Sequence, residues 1–238
     1  MPDARCDLST TLARAGEGYA DSAKLEGHLL RNFRKYAHSE IKPGSIWNWL
    51  AMAQHYGLPT RLLDWTYSPF IAMHFTTANV DLYQHDGVIW SLNHRETIRH
   101  LPKSLRDQAK EAGLDVFTAE MLDQVADSLK QLDALGSEDF VIFLEPPSLD
   151  QRIANQFALF SMMASSNAQL DDWLLEHPGL ARKIIIPAAL KWEVRDKLDQ
   201  AGITERLLYP GLDGLARWLR RYYSPNRRHV PDSPLPRE

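Results

Sequence analysis

The sequence lacks the features that mark several large classes of protein. Its 238 residues include one cysteine, Cys6, which excludes an internal disulfide framework and a metal site built from several thiolates. No apolar run approaches the ~20 residues of a membrane-spanning helix. The first residues also lack the basic and then apolar pattern of a signal peptide. We therefore expect no membrane association and a cytoplasmic location.

An excess of positive charge is missing too. The 27 Lys and Arg residues stand against 31 Asp and Glu, a formal net charge of -4, so no global field attracts nucleic acid. The nine histidines show no metal-ligand spacing, and no P-loop, G-x-S-x-G or G-x-G-x-x-G motif occurs. We expect no metal and no nucleic-acid partner. The arginines at 217, 220, 221, 227 and 228 are interpreted as a solvated face, with a nucleic-acid or partner contact as the alternative.

What remains is typical of a globular chain, with 44% hydrophobic and 24% charged residues. Helical periodicity follows Asp21 or Ser22, then Ser45, then Ser68, and Asp and Ser both commonly cap helices. It is found again over 188–201 and 211–223. Short apolar runs typical of strands occupy 88–92, 140–144, 157–163 and 183–186. These patterns predict an α+β fold with a small central β-sheet flanked by helices.

The chain is predicted to form one domain over residues 1–223. Its first twenty residues show no period and are interpreted as a strand remnant or loop. Residues 93–135 are polar, acidic and helical in pattern, which indicates an inserted or peripheral helical hairpin. Residues 224–238 are rich in proline and poor in apolar residues, so this tail is expected to be disordered.

Residues 54–66 combine charged, hydrogen-bonding and aromatic side chains more closely than any other stretch of the chain. They read Gln-His-Tyr-Gly-Leu-Pro-Thr-Arg-Leu-Leu-Asp-Trp-Thr, and the pattern places them on a helix end and the loop after it. The helix beginning at Ser68 directs its first amides toward this loop, so an anionic group could be held there together with Arg61. Trp65 and Tyr56 offer flat faces to an aromatic ring. The stretch predicts a nucleotide-like ligand.

A structural role explains the same residues. Arg61 and Asp64 could pair to fix a tight loop, with His55 and Tyr56 closing the helix end and Trp65 filling the core. Spacing alone leaves both interpretations open.

This stretch, continued by Ser68, Pro69 and the following helix, closely resembles the signature of the FRG domain family. The resemblance extends upstream through residues 29–36 and downstream to 152–156 and 209–215. It thus covers most of the chain, from about residue 8 to residue 221.

The sequence departs from the family in one element. The family is named for a Phe-Arg-Gly element on a strand that precedes a stretch resembling residues 8–14 here, and no Phe-Arg-Gly occurs in this sequence. Either the chain begins inside the domain or Arg5 is an imperfect substitute, and we favour the first. The departure puts in doubt any activity that needs that arginine.

The resemblance implies a layout similar to that of ADP-ribosyltransferase folds, with NAD as the candidate substrate. Cleavage of the nicotinamide glycosidic bond passes through an oxocarbenium-like state, which calls for a phosphate-binding arginine, an aromatic face and a group on the ribose. On this interpretation Arg61 binds phosphate and Trp65 or Tyr56 stacks on nicotinamide. Thr60, Thr66 and His55 orient ribose or amide.

The group on the ribose would be Glu145, at the end of the strongest predicted strand, or Gln156, four residues after Arg152. The alternatives are a solvated strand end for Glu145 and a surface pair for Arg152 and Gln156. The candidate catalytic residues are thus Glu145 and Gln156. The candidate ligand-binding residues are Gln54, His55, Tyr56, Thr60, Arg61, Asp64, Trp65, Thr66 and Arg152.

A second hypothesis belongs to another functional class. The domain would be a non-catalytic interaction module in a bacterial stress or phage-related system, with a protein partner and a purely structural signature stretch.

Overall fold

The computed structural model describes residues 1–18, 21–39, 44–148 and 150–224. Within these residues two small antiparallel sheets are surrounded by helices, which confirms the α+β class. The helices are α1 (Thr11–Ala15), α2 (Ser22–Ala37), α3 (Ile46–His55), α4 (Pro69–Thr77), α5 (His94–Thr97), α6 (Lys103–Ala112), α7 (Ala119–Val125), α8 (Leu129–Asp133), α9 (Gln151–Asn155), α10 (Leu170–Glu176), α11 (Lys191–Gln200), α12 (Glu205–Leu208) and α13 (Leu212–Tyr222). The strands are β1 (Leu62–Thr66), β2 (Gly87–Leu92), β3 (Val141–Leu144), β4 (Ala158–Met163) and β5 (Ala181–Ile186).

One sheet has the strand order β1-β4-β3, and the other pairs β2 with β5. Leu62 lies opposite Met162 and Thr66 opposite Ala158, so β1 is hydrogen-bonded along its whole length to a strand from the second half of the chain. Because β1 is at the edge of its sheet, its other side carries no strand partner among the described residues.

Strand β3 is buried on both faces. Side chains alternate along a strand, and Ile142 and Leu144 pack into a larger core with α3, α6 and α7. Val141 and Phe143 pack into a smaller core with Trp173 of α10. The continuous apolar run of β3 follows from this double burial.

The predicted N-caps Ser45 and Ser68 are confirmed, and of the two candidates Asp21 and Ser22 the first is the cap. The Asp21 carboxylate accepts a hydrogen bond from the backbone amide of Lys24 at 3.0 Å. Ser45 accepts one from Asn48 at 3.4 Å. Ser68 caps α4, which has Pro69 in its first turn. Local capping chemistry thus positions α2, α3 and α4.

Two predictions for the first half of the chain are wrong. The signature stretch is not a loop beyond α3, since Leu62–Thr66 forms strand β1 by pairing with β4. The first twenty residues include helix α1, because Thr10 caps it and the Leu12 side chain is fully buried. The backbone amide of Leu12 donates to the Thr60 carbonyl at 3.0 Å, which fixes α1 beside the signature stretch.

Residues 93–135 include the helices α5 to α8, and several of their apolar side chains pack into the larger core. Leu105, Leu122 and Leu132 have no exposed surface and belong to the larger core. Trp47 of α3 donates its indole N–H to the carbonyl of Ala126 at 2.9 Å. The polar residues of this segment lie on one side of its helices. The apolar residues on the other side pack into the core.

The tail predicted to be disordered lies, from residue 225 on, outside the described residues. No helix in the described part of the chain is both long and apolar enough to cross a membrane.

Candidate functional site

The free side of β1 faces a cleft of about 400 Å³ between β1, α4, β2 and α9. We call it the β1 cleft. Its lining residues come from six separate parts of the chain and are Met1, Leu8, Leu63, Asp64, Trp65, Thr66, Ala72, Phe75, Ile89, Trp90, Arg152, Gln156, Ala158 and Tyr209. Five of the predicted site residues are in this set, namely Asp64, Trp65, Thr66, Arg152 and Gln156.

The β1 cleft has an apolar part and a polar part, because side chains from both faces of β1 line it. Leu63 and Trp65 project from one face of β1, beside Trp90 of β2. Asp64 and Thr66 project from the other face, by the alternation of a strand. A ligand in the cleft would therefore meet aromatic rings on one side and hydrogen-bonding groups on the other.

Asp64 is held by a short chain of hydrogen bonds. The Gln54 side-chain amide donates to the Asp64 carboxylate at 3.0 Å. The Gln54 carbonyl oxygen accepts from the hydroxyl of Thr60 at 2.6 Å. Desolvation by the surrounding protein raises the pKa of the Asp64 carboxyl, although the Gln54 amide and the charge of Arg152 act to lower it. Gln54 and Thr60 thus orient Asp64.

Arg152 lies across the ring of Tyr209, with its guanidinium carbon 5.1 Å from the ring centre. The guanidinium of Arg217 stacks on the same ring at 4.5 Å. The ion pairs of the described residues do not include Arg152. Its donors remain available for an anionic group.

Gln156 and Thr66 are joined where α9 meets β1. The Thr66 hydroxyl donates to the backbone carbonyl of Gln156 at 2.7 Å and accepts from the Ser68 amide at 3.1 Å. The Gln156 side chain donates to the carbonyl of Leu208 at 2.9 Å. The same link that fixes Thr66 therefore holds Gln156 at the cleft.

The two tryptophans of the β1 cleft differ in their hydrogen bonding. Trp65 donates its indole N–H to the hydroxyl of Ser161 at 2.7 Å and packs edge-on against Phe143. The indole nitrogen of Trp90 is buried and finds no acceptor among the described residues. Lys183 lies over the Trp90 ring at 4.2 Å. Trp65 is thus fixed by the core, while Trp90 retains an unused donor.

The structure places Arg61 away from the β1 cleft. Its side chain is buried, and the guanidinium contacts Glu26 at 2.7 Å and Asp133 at 2.6 Å. It also donates to the carbonyl of Ala164 at 2.6 Å. The alternative in which Arg61 pairs with Asp64 is therefore wrong, because the guanidinium contacts Glu26 and Asp133 instead. A second, open cavity of about 880 Å³ reaches Arg61 from the side of α2.

Glu145 is not among the residues of the β1 cleft. It is exposed at the end of β3, and its charge, after desolvation, helps to raise the pKa of Tyr67. Its backbone amide donates to the carbonyl of Phe117 at 2.8 Å. Of the two candidate catalytic groups, only Gln156 is brought together with β1.

His55 and Tyr56 line a neighbouring cavity of about 400 Å³, which they share with Arg152 and Tyr209. The imidazole of His55 contacts the carboxylate of Asp150, the N-cap of α9, at 2.8 Å. The Arg152–Tyr209 pair therefore forms the wall between this cavity and the β1 cleft.

Residues 1–85 match the family model of the FRG domain. The match covers 85 of the 238 residues, so the N-terminal part of the chain is similar to the FRG domain family. We call residues 1–85 the FRG segment. Neither the search of curated proteins nor that of solved structures finds a match.

The FRG segment ends before several residues of the site. It contains the signature stretch and helix α4, but Arg152, Gln156 and Tyr209 lie outside it. The family resemblance noted at 152–156 and 209–215 therefore extends beyond the matched residues. The fold brings both stretches to the FRG segment at the β1 cleft.

Sequence reasoning missed several residues that line the cleft, namely Leu8, Phe75, Ile89, Trp90 and Tyr209. Tyr209 stands in a stretch that resembles the family, which was a usable signal. Trp90 belongs to the other sheet, and no local pattern connects it to β1. The described residues contain no group of three His, Cys, Asp or Glu side chains arranged to hold a metal ion.

Proposed function

We propose that the FRG segment, completed by α9 and Tyr209, binds a nucleotide-like ligand in the β1 cleft, with NAD as the first candidate, and acts in the manner of an ADP-ribosyltransferase. One observation supports this above all. Asp64, Trp65 and Thr66 of the signature meet Arg152 and Gln156 in a single cleft. Concave sites that combine apolar walls with a few convergent polar groups are typical of small-molecule binding.

The chemistry of the cleft suits the parts of a dinucleotide. The guanidinium of Arg152 forms no ion pair within 4 Å among the described residues and lies on the ring of Tyr209. It therefore takes the phosphate role first expected of Arg61. Trp65 and Trp90 offer aromatic faces for a base or a nicotinamide ring. Asp64 can accept hydrogen bonds from ribose hydroxyls.

In the proposed reaction the bond between ribose C1′ and the nicotinamide nitrogen breaks, and its electron pair neutralises the pyridinium. A nucleophile of the acceptor then bonds to C1′ and releases a proton to solvent. The carboxylate of Asp64 would stabilise the positive charge that develops on the ribose. Gln156 takes the ribose-orienting role for which Glu145 was the other candidate.

The test measures thermal stability and nicotinamide release with NAD. We expect Tm to rise by several degrees at millimolar NAD, because a ligand at ten times its Kd adds about 1.4 kcal/mol to the free energy of unfolding. Arg152→Ala and Asp64→Asn should abolish the rise. Arg106→Ala, an exposed arginine of α6 outside the cleft, is the matched control.

A Tm shift without nicotinamide release would limit the proposal to binding. The absence of any shift at millimolar NAD, or an equal loss in Arg106→Ala and Arg152→Ala, would contradict it.

The interaction-module hypothesis remains as a second candidate, and the contacts of Arg61 favour it. Arg61 is engaged within the protein, and Gln54 and Thr60 hydrogen-bond to other signature groups. On this view Asp64→Ala and Trp65→Ala lower the free energy of unfolding by about 1–3 kcal/mol and no nucleotide binds. If both variants melt like the parent, this candidate fails.

A further inference from the structure

The second cavity, which reaches Arg61 from the side of α2, is lined by an excess of positive charge. We call it the α2 cavity, and its volume is about 880 Å³. Six Lys and Arg side chains and three carboxylates line it among the described residues, although the whole chain has a net charge of -4. A concave surface with an excess of one sign of charge concentrates ions of the opposite sign.

The three carboxylates of the cavity wall already have partners within the protein. Glu26 and Asp133 both contact the guanidinium of Arg61, at 2.7 and 2.6 Å. Asp21 accepts a hydrogen bond from the backbone amide of Lys24 at 3.0 Å as the N-cap of α2. These carboxylates therefore leave the other cations of the wall without a counter-charge.

The five cations other than Arg61 are exposed and unpaired. The ion pairs within 4 Å in the described part of the chain include none of them. They are Lys24, Arg31, Arg34 and Lys35 of α2 and Lys130 of α8. Their N–H groups are available to an anionic ligand, and an arginine fork matches the oxygens of a phosphate.

The spread of these cations favours an anion with several charged groups. Eleven residues separate Lys24 from Lys35 on α2, which corresponds to about 16 Å along the helix. Lys130 adds a charge from a second helix. One phosphate is too small to contact cations that far apart. A chain of phosphates can contact several, because every phosphate in it carries negative charge.

The rest of the wall suits a small molecule better than a nucleic acid. Leu30, Ile46 and Leu129 line the cavity and pack in or against the larger core. Single strands bind through exposed aromatic faces as well as charge, but Trp49 is only 4% exposed and lies under the guanidinium of Arg34. The volume is within the range of ~300–1,000 Å³ that is typical of small-molecule sites.

We propose that the α2 cavity binds a small oligophosphate, either free or attached to a nucleoside. Arg31 and Arg34 contact phosphate oxygens, and the lysines at the two ends of the cavity neutralise the remaining charge. The cavity shares no described lining residue with the β1 cleft. The proposal therefore does not depend on nucleotide binding in the β1 cleft.

Gly27 allows a test that leaves the packing intact. It lines the α2 cavity one turn before Arg31, and a Cβ added there would meet no atom within 4 Å. Calorimetry with tripolyphosphate, without divalent cations and at ~50 mM NaCl, should give a dissociation constant below about 100 µM for the full chain. Gly27→Glu should bind at least about threefold more weakly than Gly27→Gln, which has the same shape without the charge. Gly27→Lys should bind more tightly than Gly27→Gln.

Two further variants separate this site from the rest of the surface. Ser104→Glu adds the same charge at an exposed position of α6 outside the cavity and should bind like the parent, as should Arg152→Ala. Equal weakening by Ser104→Glu and Gly27→Glu would overturn the proposal, as would the absence of binding at millimolar tripolyphosphate. If Arg152→Ala removes binding and Gly27→Glu does not, the oligophosphate occupies the β1 cleft. This proposal then fails, while the function proposed for the β1 cleft does not.

Comparison of ligands identifies the source of the phosphates. ATP that binds more tightly than tripolyphosphate, and responds equally to the Gly27 series, indicates a nucleotide whose nucleoside uses the apolar wall. ATP that binds equally or more weakly indicates the phosphate chain alone. Orthophosphate should bind at least about tenfold more weakly than tripolyphosphate, since it meets fewer cations, and equal affinity would overturn the proposal. A single-stranded oligonucleotide of the same charge that binds more tightly than both would also overturn it.

Discussion

Arg61 joins four distant parts of the chain through one guanidinium. It contacts Glu26 in α2, Asp133 at the end of α8 and the carbonyl of Ala164 after β4. Both Arg61 and Glu26 are buried. Arg61 therefore supplies the positive charge that two carboxylates contact. Its role depends on residues that are distant in the sequence, and no local sequence pattern indicates them.

Replacing Arg61 with alanine should lower the free energy of unfolding by about 3–5 kcal/mol, because Glu26 would remain buried and unpaired. Urea unfolding measures this change. Arg61→Lys keeps the charge but loses the forked contacts, so it should recover only part of the loss. A loss below about 1 kcal/mol in Arg61→Ala would contradict the structural role.

His74 of α4 predicts a dependence of stability on pH. The ring is fully buried, and Arg195 donates to its Nδ1 at 2.8 Å, so the ring is neutral with its proton on Nε2. Burial, aided by the charge of Arg195, lowers the pKa of His74 from 6.5 to about 4. Between these values the unfolded chain binds more protons than the folded one, so stability is lost as the pH falls.

From pH 7 to pH 5 this residue should cost about 2 kcal/mol of unfolding free energy. Denaturant titrations at the two pH values of the parent and of His74→Gln measure its share, since the glutamine variant lacks this loss. His28→Gln, an exposed histidine of α2, is the control and should retain the parental dependence. If His74→Gln loses as much stability as the parent, the assignment is wrong.

At the scale of elements, capped helices were predictable and the strand of the signature was not. Asp21, Ser45 and Ser68 determine helix starts by bonds within their own turn, so the sequence around them suffices. Strand β1 depends on β4, and its Leu62-Leu63 pair followed by Asp64 hides the alternation of a strand. The run of β3 was predictable because burial on both faces makes it uniformly apolar.

Helix α13 gives a prediction for an element as a whole. Gly214→Ala should destabilise the protein by about 1–3 kcal/mol, since the added methyl would meet the carbonyl oxygens of Tyr209 and Glu205 at 1.8 and 2.6 Å. Thermal unfolding with circular dichroism measures the loss. Ala216→Gly, at an exposed position of the same helix, is the control and should cost only about 1 kcal/mol through helix propensity. A neutral Gly214→Ala would mean that α12 and α13 separate more easily than their packing indicates.

At the scale of the molecule, the candidate site was predictable only in part. The signature indicated where Asp64, Trp65 and Thr66 lie along the chain, and Arg152 and Gln156 were among the expected residues. Arg61 and Glu145 lie outside the β1 cleft, and their position relative to the sheet decides this. The sequence does not indicate that position, because it depends on strand order and register, which are tertiary properties.

The pairing of β1 with β4 has a consequence for synthesis on the ribosome. About 90 residues separate the end of β1 from the start of β4, and translation at roughly 5–20 residues per second needs about 5–20 s to produce them. During that interval both edges of β1 are open, and Arg61 lacks Asp133 and the Ala164 carbonyl. Until β4 leaves the exit tunnel, β1 lacks its only strand partner among the described residues, and an unpaired strand edge can associate with other chains.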